Sequence, residues 1–346
     1  MKGAFPTISC IIPTYNSAKT IALCLQSIRQ QNYPQDKIEI ILADGSSNDD
    51  TLRIARKYKV KTISIPSKLQ NAEYNKAIGV KAAKKDLLLM LDHDNVLPHN
   101  KWLAHMVQPY KENSRVVGVD TLYIHYDPTS SLLDRYLALY GSLDPVAYYL
   151  GKPDKLSQIT KKYNRFGRAT DCGNYYIVEF DEELVPTLGA NGFLIRRKIL
   201  LDNAQVDPGN FFHTDVHVDL IRKGFCTYAF VKDDIIHLTG YNSILGFLKR
   251  RKLFMEQYQI KSHSKRRHSV YLRQDRLNLI KFVIITITLV IPTFHAFRGY
   301  IKIRDRAWFL HPFLCYMFLI LYGYIVTKLI IIKYIKDIVE KKHFNK

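Results

Sequence analysis

The chain has 346 residues, of which 47% are hydrophobic and 12% aromatic, so it is long enough for two domains and too apolar to be disordered. Lys and Arg number 51 against 31 Asp and Glu, and the resulting charge of +20 requires an anionic partner or surface. Five scattered cysteines without a Cys-x-x-Cys pair argue against disulfides and structural zinc, and they favour a reducing compartment.

Basic residues are concentrated in the C-terminal third. Residues 249–276 contain ten Lys or Arg and two acidic residues, and apolar runs follow at 277–297 and 307–327. Runs of about 20 apolar residues can span a bilayer, and a dense basic flank is typical of the cytoplasmic side, where anionic lipids hold it. We therefore expect anionic membrane lipids, and no nucleic acid, as the partner. The N-terminal stretch lacks a long apolar region, so we expect no signal peptide.

Strands and helices alternate regularly in the first 95 residues. A buried strand is predicted at 8–12, and Ser17 is the expected N-cap of the helix that follows. Further strands are predicted at 38–42, 61–65 and 87–91, with helices at 51–58 and 73–84. This alternation predicts an α/β domain with parallel strands and helices on both faces of the sheet, an architecture that binds nucleotides.

The apolar strand at 87–91 ends abruptly in Asp92 and Asp94, which are spaced i, i+2. In an open α/β sheet, ligands bind at the carboxyl ends of the strands. Carboxylate oxygens there suit a Mg²⁺ or Mn²⁺ ion that carries a substrate's phosphates. The pair alone is a weak signal, since two aspartates so close together are common in polar turns.

Four motifs follow one another along these elements. They are Ile-Pro-Thr-Tyr-Asn at 12–16, Asp-Gly-Ser-Ser-Asn-Asp-Asp-Thr at 44–51, Asn75, and Asp-His-Asp-Asn at 92–95. Together they resemble the signature of the family 2 glycosyltransferases, which have the GT-A fold, a Rossmann-like mixed sheet with flanking helices. That family often has two acidic residues before Gly-Ser, whereas here Ala43 precedes Asp44.

The resemblance implies a site for a UDP- or GDP-sugar donor. Tyr15 would pack against the base and Asp44 would accept a hydrogen bond from base or ribose, whereas the alternative makes them a core aromatic and a turn residue. The predicted nucleotide-sugar-binding residues are Pro13, Tyr15, Asn16, Asp44, Asn75, Asp92, Gly189, Asn191, Arg250 and Arg251. The predicted ligands of Mg²⁺ or Mn²⁺ are Asp92, Asp94 and His237, although a lone histidine beside isoleucines is usually structural.

The resemblance also places an acid that deprotonates the acceptor at the start of a later helix, usually within Glu-Asp or Asp-Asp. Here Thr214-Asp215 is the match, and Asp219 lies one turn further along the same face, so both aspartates are predicted catalytic residues. The alternative is that Thr214 and Asp215 only cap the helix. The aromatic stretch at 131–155 is interpreted as a substrate-facing insertion, although such aromatic residues are as often part of the core.

The predicted organisation is a GT-A catalytic domain at 1–240, a basic amphipathic interfacial segment at 241–276, a transmembrane hairpin of two helices at 277–332 and a basic cytosolic tail at 333–346. The first apolar run is interrupted by Pro292 and carries Lys281, so its alternative is a re-entrant or interfacial segment. In the hairpin arrangement the catalytic domain is cytosolic.

These features imply an inverting transferase that moves one sugar to a lipid-linked acceptor, either a polyprenyl phosphate or a growing lipid-linked glycan. Single-sugar transfer is expected because the Gln-x-x-Arg-Trp motif of processive synthases in this family does not occur. The alternative from another class is a non-catalytic binding or scaffold protein with a GT-A fold at the membrane.

Overall fold

The computed structural model describes residues 5–180, 188–241, 243–257, 266–268 and 275–344, without the side chains of 333 and 335–344. The strands are β1 (Ile8–Thr14), β2 (Ile38–Asp44), β3 (Lys61–Ser64), β4 (Leu87–Met90), β5 (Asn95–Val96), β6 (Gly118–Ile124), β7 (Arg168–Asp171), β8 (Tyr175–Glu179), β9 (Phe193–Arg196) and β10 (Thr227–His237). The helices are α1 (Ile21–Arg29), α2 (Thr51–Ala55), α3 (Ala72–Ala82), α4 (Trp102–Glu112), α5 (Leu132–Tyr140), α6 (Pro145–Tyr149), α7 (Arg197–Asn203), α8 (His213–Arg222), α9 (Ile244–Met255), α10 (Asp275–Thr288), α11 (Val290–Lys302) and α12 (Leu310–Phe344).

One mixed sheet organises the N-terminal two thirds, in the order β3-β2-β1-β4-β9-β6-β10-β8-β7, with β5 paired to β10. The first four strands in this order are parallel, and β9 then inserts antiparallel between β4 and β6. Helices flank the sheet, so the predicted α/β class and mixed sheet are confirmed. The predicted strands β1 to β4 are parallel, as expected, and antiparallel β9 and β8 make the whole sheet mixed.

The central strands are buried on both faces, which is why their sequences are almost continuously apolar. Side chains alternate along each strand, so Cys10 and Leu89 enter one core, with α1 and α4, while Ile11, Leu88 and Met90 enter the other. Both cores end where the strands end. Polar residues therefore begin at the carboxyl edge, and this edge carries the candidate site.

The prediction that Ser17 caps the first helix is wrong, because α1 begins at Ile21 and the side chain of its N-cap residue, Thr20, makes no capping hydrogen bond. Ser17 is instead buried between two loops. Its backbone N–H donates to Thr51 Oγ1 at 2.7 Å, and its hydroxyl accepts from the backbone N–H of Tyr15 at 3.2 Å. Ser17 thus joins the loop after β1 to the start of α2.

The interpretation of 131–155 as a substrate-facing insertion is also wrong for its best-buried aromatic residues. Tyr136 and Tyr140 are buried against the C-terminal helices, where partly buried Tyr149 also packs, and the Tyr140 ring stacks on His311 at a centroid distance of 4.1 Å. The His311 Nδ1 is hydrogen-bonded to the Tyr136 hydroxyl at 2.9 Å. These aromatic residues form the junction between the α/β domain and the C-terminal helices.

The two C-terminal apolar runs differ in shape. Residues Arg306–Ile332 form a helix long and apolar enough to cross a membrane, the one straight helix of this kind in the described part of the chain. The first run is broken at Leu289, where φ is 55°, and α10 and α11 meet there at 81°. The first run therefore has the shape of a broken span or of a re-entrant segment, by its length and composition.

Candidate active site

Tyr15 and Asn16 follow β1 at the carboxyl edge of the sheet. The Tyr15 side chain is 48% exposed, so it is free to contact a ligand and is not a core aromatic. Asn16 has a positive φ of 49°, and its side-chain oxygen accepts from the backbone N–H of Asn48 at 3.0 Å. Pro13 lies inside β1, paired in register with Ala43. The structure therefore brings these three predicted donor-binding residues to one edge.

Asp44 ends β2 and is almost completely buried. Its Oδ1 accepts from the hydroxyls of Thr14 at 2.9 Å and Ser47 at 2.6 Å, and its Oδ2 accepts from the backbone N–H of Ser47 at 2.9 Å. Asp44 therefore stabilises the turn that follows β2, which agrees with the alternative interpretation of Asp44 as a turn residue. A carboxylate fixed in this way is also preorganised for a ligand that approaches the turn.

Asn75 and Lys76 reach this edge from α3, and both are buried. The Asn75 Oδ1 has no hydrogen-bond partner within the described ranges. The Lys76 Nζ lies 3.5 Å from Asp92 Oδ1. Burial alone would lower the pKa of Lys76, but the carboxylates of Asp92 and Glu73 outweigh this effect and raise that pKa. A permanent positive charge thus faces the first aspartate of the Asp-x-Asp pair.

Asp94 and His237 face each other because β5 and β10 pair antiparallel, with His237 opposite Asn95. The Asp94 Oδ2 lies 3.5 Å from His237 Nε2. Burial alone would raise the pKa of the Asp94 carboxyl, but the neighbouring His237 outweighs burial and lowers that pKa. Burial alone would lower the pKa of His237, but the carboxylate of Asp94 outweighs burial and raises that pKa to about 9. The other carboxylate oxygen of Asp94, Oδ1, is buried and has no partner among the residues described.

This geometry brings two of the three predicted metal ligands together, Asp94 and His237, while Asp92 faces Lys76. An unpartnered buried carboxylate oxygen beside an imidazole, with Asp92 two residues away, supplies hard oxygen donors and one nitrogen. A divalent cation would satisfy the free oxygen and displace the proton that His237 otherwise holds. The residues present therefore fit Mg²⁺ or Mn²⁺.

The loop before β9 closes over this region. Asn95 is fully buried, and its side-chain NH₂ donates to Asn191 Oδ1 at 3.2 Å. Gly189 has a φ of +103°, and a Cβ there would lie 2.8 Å from His217 Nε2. The glycine is needed both for its backbone conformation and for the close approach of α8. Gly189 and Asn191 thus lie between β4 and α8, and their part in donor binding stays a prediction.

Asp215 lies in the first turn of α8 and is only 1% exposed. Its Oδ1 accepts from the Arg266 guanidinium at 2.8 Å, and its Oδ2 accepts from the backbone N–H of Arg267 at 3.0 Å. Thr214 accepts a second hydrogen bond from Arg266 at 2.5 Å. The N-cap of α8 is Phe212, which makes no side-chain capping bond, so Asp215 serves Arg266 and Arg267 rather than the helix end.

Asp219 lies one turn later on α8 and forms hydrogen bonds with the same short segment, residues 266–268. Its Oδ2 accepts from Arg267 at 2.7 Å, and its Oδ1 is hydrogen-bonded to His268 at 2.8 Å. Burial would raise the pKa of Asp219, but Arg267 and His268 lower it. Both predicted catalytic acids are therefore ion-paired with residues 266–268, which come from the predicted interfacial segment.

Arg250 and Arg251 lie on α9, further from the carboxylates. Arg251 donates to Asp144 Oδ2 at 2.5 Å, and that oxygen also accepts from the Tyr322 hydroxyl at 2.9 Å. The Arg250 guanidinium lies 5.8 Å from the Tyr241 ring centroid. The described contacts of Arg251 connect α9 to α6 and α12, which is a structural role, while donor binding by Arg250 stays a prediction.

Sequence reasoning missed several residues of this site. Glu73 and Lys76 stand i, i+3 on α3, a spacing that puts both on one helix face and that could have signalled them beside Asn75. Asn95 is the last residue of a motif already recognised. Arg266 and Arg267 carried no local signal, because they stand within a dense run of basic residues that indicates a lipid-facing segment.

The ion pair of Glu73 and His213 generates a pH prediction. Burial would raise the pKa of Glu73, but His213, whose Nδ1 lies 2.5 Å from Glu73 Oε1, lowers it to about 2. Because the folded-state pKa is depressed, the stabilisation is present above the unfolded pKa of about 4.3 and is lost as pH falls toward 2. We expect the difference in unfolding free energy between the wild type and Glu73→Gln, measured with urea, to shrink between pH 5 and pH 3. A difference that stays constant or grows over this range would contradict the assignment.

Comparisons with known proteins identify the family of this chain. Residues 9–200 match the family described as Glycosyl transferase family 2. Over 111 residues the chain is 34% identical to Glycosyltransferase AglE of Haloferax volcanii, covering 31% of this chain and 36% of that protein. Over 121 residues it is 31% identical to the dolichyl N-acetyl-alpha-D-glucosaminyl phosphate 3-beta-D-2,3-diacetamido-2,3-dideoxy-beta-D-glucuronosyltransferase of Methanococcus voltae, covering 32% and 37%. The matched part thus spans just over a third of these relatives.

Among solved structures, the chain is similar to the mannosyltransferase PcManGT from Pyrobaculum calidifontis in complex with GDP-Man and Mn²⁺. The TM-score is 0.50 at 14% identity, and the match covers 94% of this chain and 88% of that one. This likeness confirms the predicted GT-A fold. Because the family match covers more than half of the sequence, the chain belongs to glycosyl transferase family 2.

Proposed function

We propose that the chain is an inverting glycosyltransferase that moves one sugar from a nucleotide-diphospho-sugar to a lipid-linked acceptor at a membrane. The observation that carries this proposal is the unpartnered buried oxygen of Asp94, held beside His237 within the described residues. Exposed Tyr15 follows β1, the parallel neighbour of the strand that leads to Asp94. A cation site beside an open aromatic face is what a nucleoside diphosphate requires.

The donor is a UDP- or GDP-sugar in this proposal. Tyr15 would stack on the base, and the turn held by Asp44 would receive the ribose or a base N–H. Lys76 keeps its charge next to Asp92 and would face the diphosphate. Support for this class of donor comes from the similarly folded PcManGT, whose structure contains GDP-Man and Mn²⁺.

A bound Mg²⁺ or Mn²⁺ would stabilise the negative charge that develops on the departing diphosphate. Asp94, Asp92 and His237 would hold it. Inversion follows if the acceptor oxygen attacks the anomeric carbon on the face opposite the diphosphate, so that one C–O bond forms as the other breaks.

Asp215 acts in this proposal by positioning the acceptor through Arg266 rather than as a free base. Both of its oxygens already accept hydrogen bonds from residues 266 and 267. The Arg266 Nε is buried and has no acceptor in the described part of the chain. A phosphate oxygen would satisfy this donor, and a phosphate acceptor is already anionic, so it needs little help from a base. This favours a polyprenyl phosphate over a neutral glycan hydroxyl.

We also propose that the catalytic domain lies at the cytosolic face of a membrane, anchored by α12. Of the two alternatives for the first apolar run, the contacts favour a re-entrant segment over one arm of a hairpin. Asp275, at the start of α10, pairs with Lys152 at 2.5 Å, and Asp305, after α11, pairs with Arg135 at 2.9 Å. Both ends of the run are thus tied to the catalytic domain and belong on its side of the bilayer.

Metal dependence is tested with Asp94→Asn. We expect at least about a 100-fold loss of transfer from radiolabelled UDP- and GDP-sugars by membranes that carry the variant. A bound metal contributes several kcal/mol of charge stabilisation, and each 1.4 kcal/mol is tenfold in rate. Asp171→Asn, an exposed carboxylate paired with Lys232 outside the site, is the matched control and should keep full activity. Near-native activity of the Asp94→Asn variant after chelation would refute the assignment of Asp94 as a metal ligand. If the wild-type protein binds the donor but transfers no sugar, the alternative of a non-catalytic scaffold protein is favoured.

The acceptor role is tested with Arg266→Ala and Asp215→Asn. If Arg266 binds a phosphate of the acceptor and Asp215 positions Arg266, both variants should raise the acceptor KM by roughly 10- to 100-fold. This is the change expected from the loss of one hydrogen bond to a charged group. Donor binding should stay intact in both, and Arg266→Lys should restore part of the loss. If Asp215→Asn instead lowers kcat by orders of magnitude while Arg266→Ala is nearly unaffected, Asp215 is the base. An inactive Asp219→Asn beside an active Asp215→Asn would mean that Asp219 is the important carboxylate.

Topology is tested with single cysteines at Tyr300 and Asn345 and a membrane-impermeant reagent. With a re-entrant first run and α12 as a single span, Tyr300 should be protected and Asn345 labelled from outside. The hairpin would require the reverse, with Tyr300 accessible and Asn345 protected. The unmodified chain measures background labelling of its own five cysteines, and permeabilised membranes should allow both positions to react.

A further inference from the structure

Two histidines and one aspartate converge on the side of the sheet that carries α4. His99 lies in the loop before α4, His105 lies within α4, and Asp233 comes from β10. The His99 Nε2 lies 3.0 Å and the His105 Nδ1 2.7 Å from the same oxygen, Asp233 Oδ2. All three ligand atoms lie within 4.8 Å of one another, and this is the one such His, Cys or carboxylate cluster found among the described residues.

We propose that His99, His105 and Asp233 form a second metal site, one that takes a transition-metal ion such as Zn²⁺. Two imidazole nitrogens and one carboxylate oxygen are a donor set that suits Zn²⁺, Co²⁺, Ni²⁺ or Cu²⁺, and it suits Mg²⁺ poorly because nitrogen donors outnumber the oxygen. Donor atoms around such an ion lie about 3 to 3.5 Å apart, and the two histidine nitrogens already lie 3.0 and 2.7 Å from the Asp233 oxygen.

The cluster has the other features of a metal site. The Asp233 side chain is only 10% exposed, and its Oδ1 also accepts from the backbone N–H of Asp234 at 2.8 Å, which fixes the carboxylate. The His99 and His105 side chains are 39% and 44% exposed, so an ion can enter from solvent. Three protein ligands leave a fourth position for water.

This site is separate from that of Asp94 and His237. Asp233 stands four residues before His237 on β10, a separation of about 13 Å along an extended strand. An ion here would connect α4 and its preceding loop to β10. It would therefore brace the strand that carries His237 without taking part in the transfer step, and the inference does not depend on the proposed function.

The test is a titration of the full chain with Co²⁺, purified in detergent without a polyhistidine tag and after chelator treatment. We expect one equivalent of Co²⁺ to produce a ligand-field absorption band in Asp94→Asn protein, in which the other site is disabled. In the same background, His99→Ala with His105→Ala should weaken this binding by at least about 100-fold, since loss of a direct ligand exceeds the 10- to 100-fold effect of an outer-shell partner. Zn²⁺ should abolish the band by competition, and Mg²⁺ should not.

The matched control is His125→Ala, which removes a histidine that pairs with the adjacent Asp234 at 3.0 Å but lies outside the cluster. Binding by this variant should equal that of the parent. Asp233→Asn and the conservative His105→Gln provide further tests if the double alanine variant does not fold, as judged by circular dichroism. Superimposable titrations of the parent and the cluster variants would overturn the proposal.

Discussion

The pairing of Asn95 with His237 across β5 and β10 is the constraint on which the candidate site depends. This pairing places the His237 imidazole beside Asp94. It also directs the Asn95 side chain toward Asp92 and toward the loop that contains Asn191. The Asn95 Oδ1 accepts from the backbone N–H of Asp92, and its NH₂ donates to Asn191. Because side chains alternate along a strand, a register shift of one residue would turn His237 away from Asp94.

Alternating buried charges connect this edge to α8. Lys76 faces Asp92, Glu73 faces His213, and Asp215 faces Arg266. Each charge withdrawn from water costs several kcal/mol unless a partner of opposite sign compensates, so these pairs bring α3, α8 and residues 266–268 together. The helix α3 therefore contacts both the Asp-x-Asp edge of the sheet and α8, through residues three positions apart.

The C-terminal helices are joined to the α/β domain by polar contacts within an aromatic layer. Asp144 accepts from the first-turn N–H groups of α6 with one oxygen and from Arg251 and Tyr322 with the other. His311 is hydrogen-bonded to Tyr136 and Tyr149, which fixes the start of α12 against α5 and α6. These bonds have a direction, unlike apolar packing alone. They therefore set the angle at which α12 leaves the α/β domain.

The sequence by itself determined the local features. The apolar runs of β1 and β4 specify strands buried on both faces, and the Asp-x-Asp pair, Tyr15 and Asp44 follow strands whose carboxyl ends must meet at one edge. Tertiary structure alone decided the rest, because it depends on contacts between residues far apart in the chain. Asp215 meets Arg266 across 51 positions, His99 meets Asp233 across 134, and Tyr136 meets His311 across 175. No local pattern encodes such pairs, because each joins elements that lie far apart in the sequence and meet only when the chain folds.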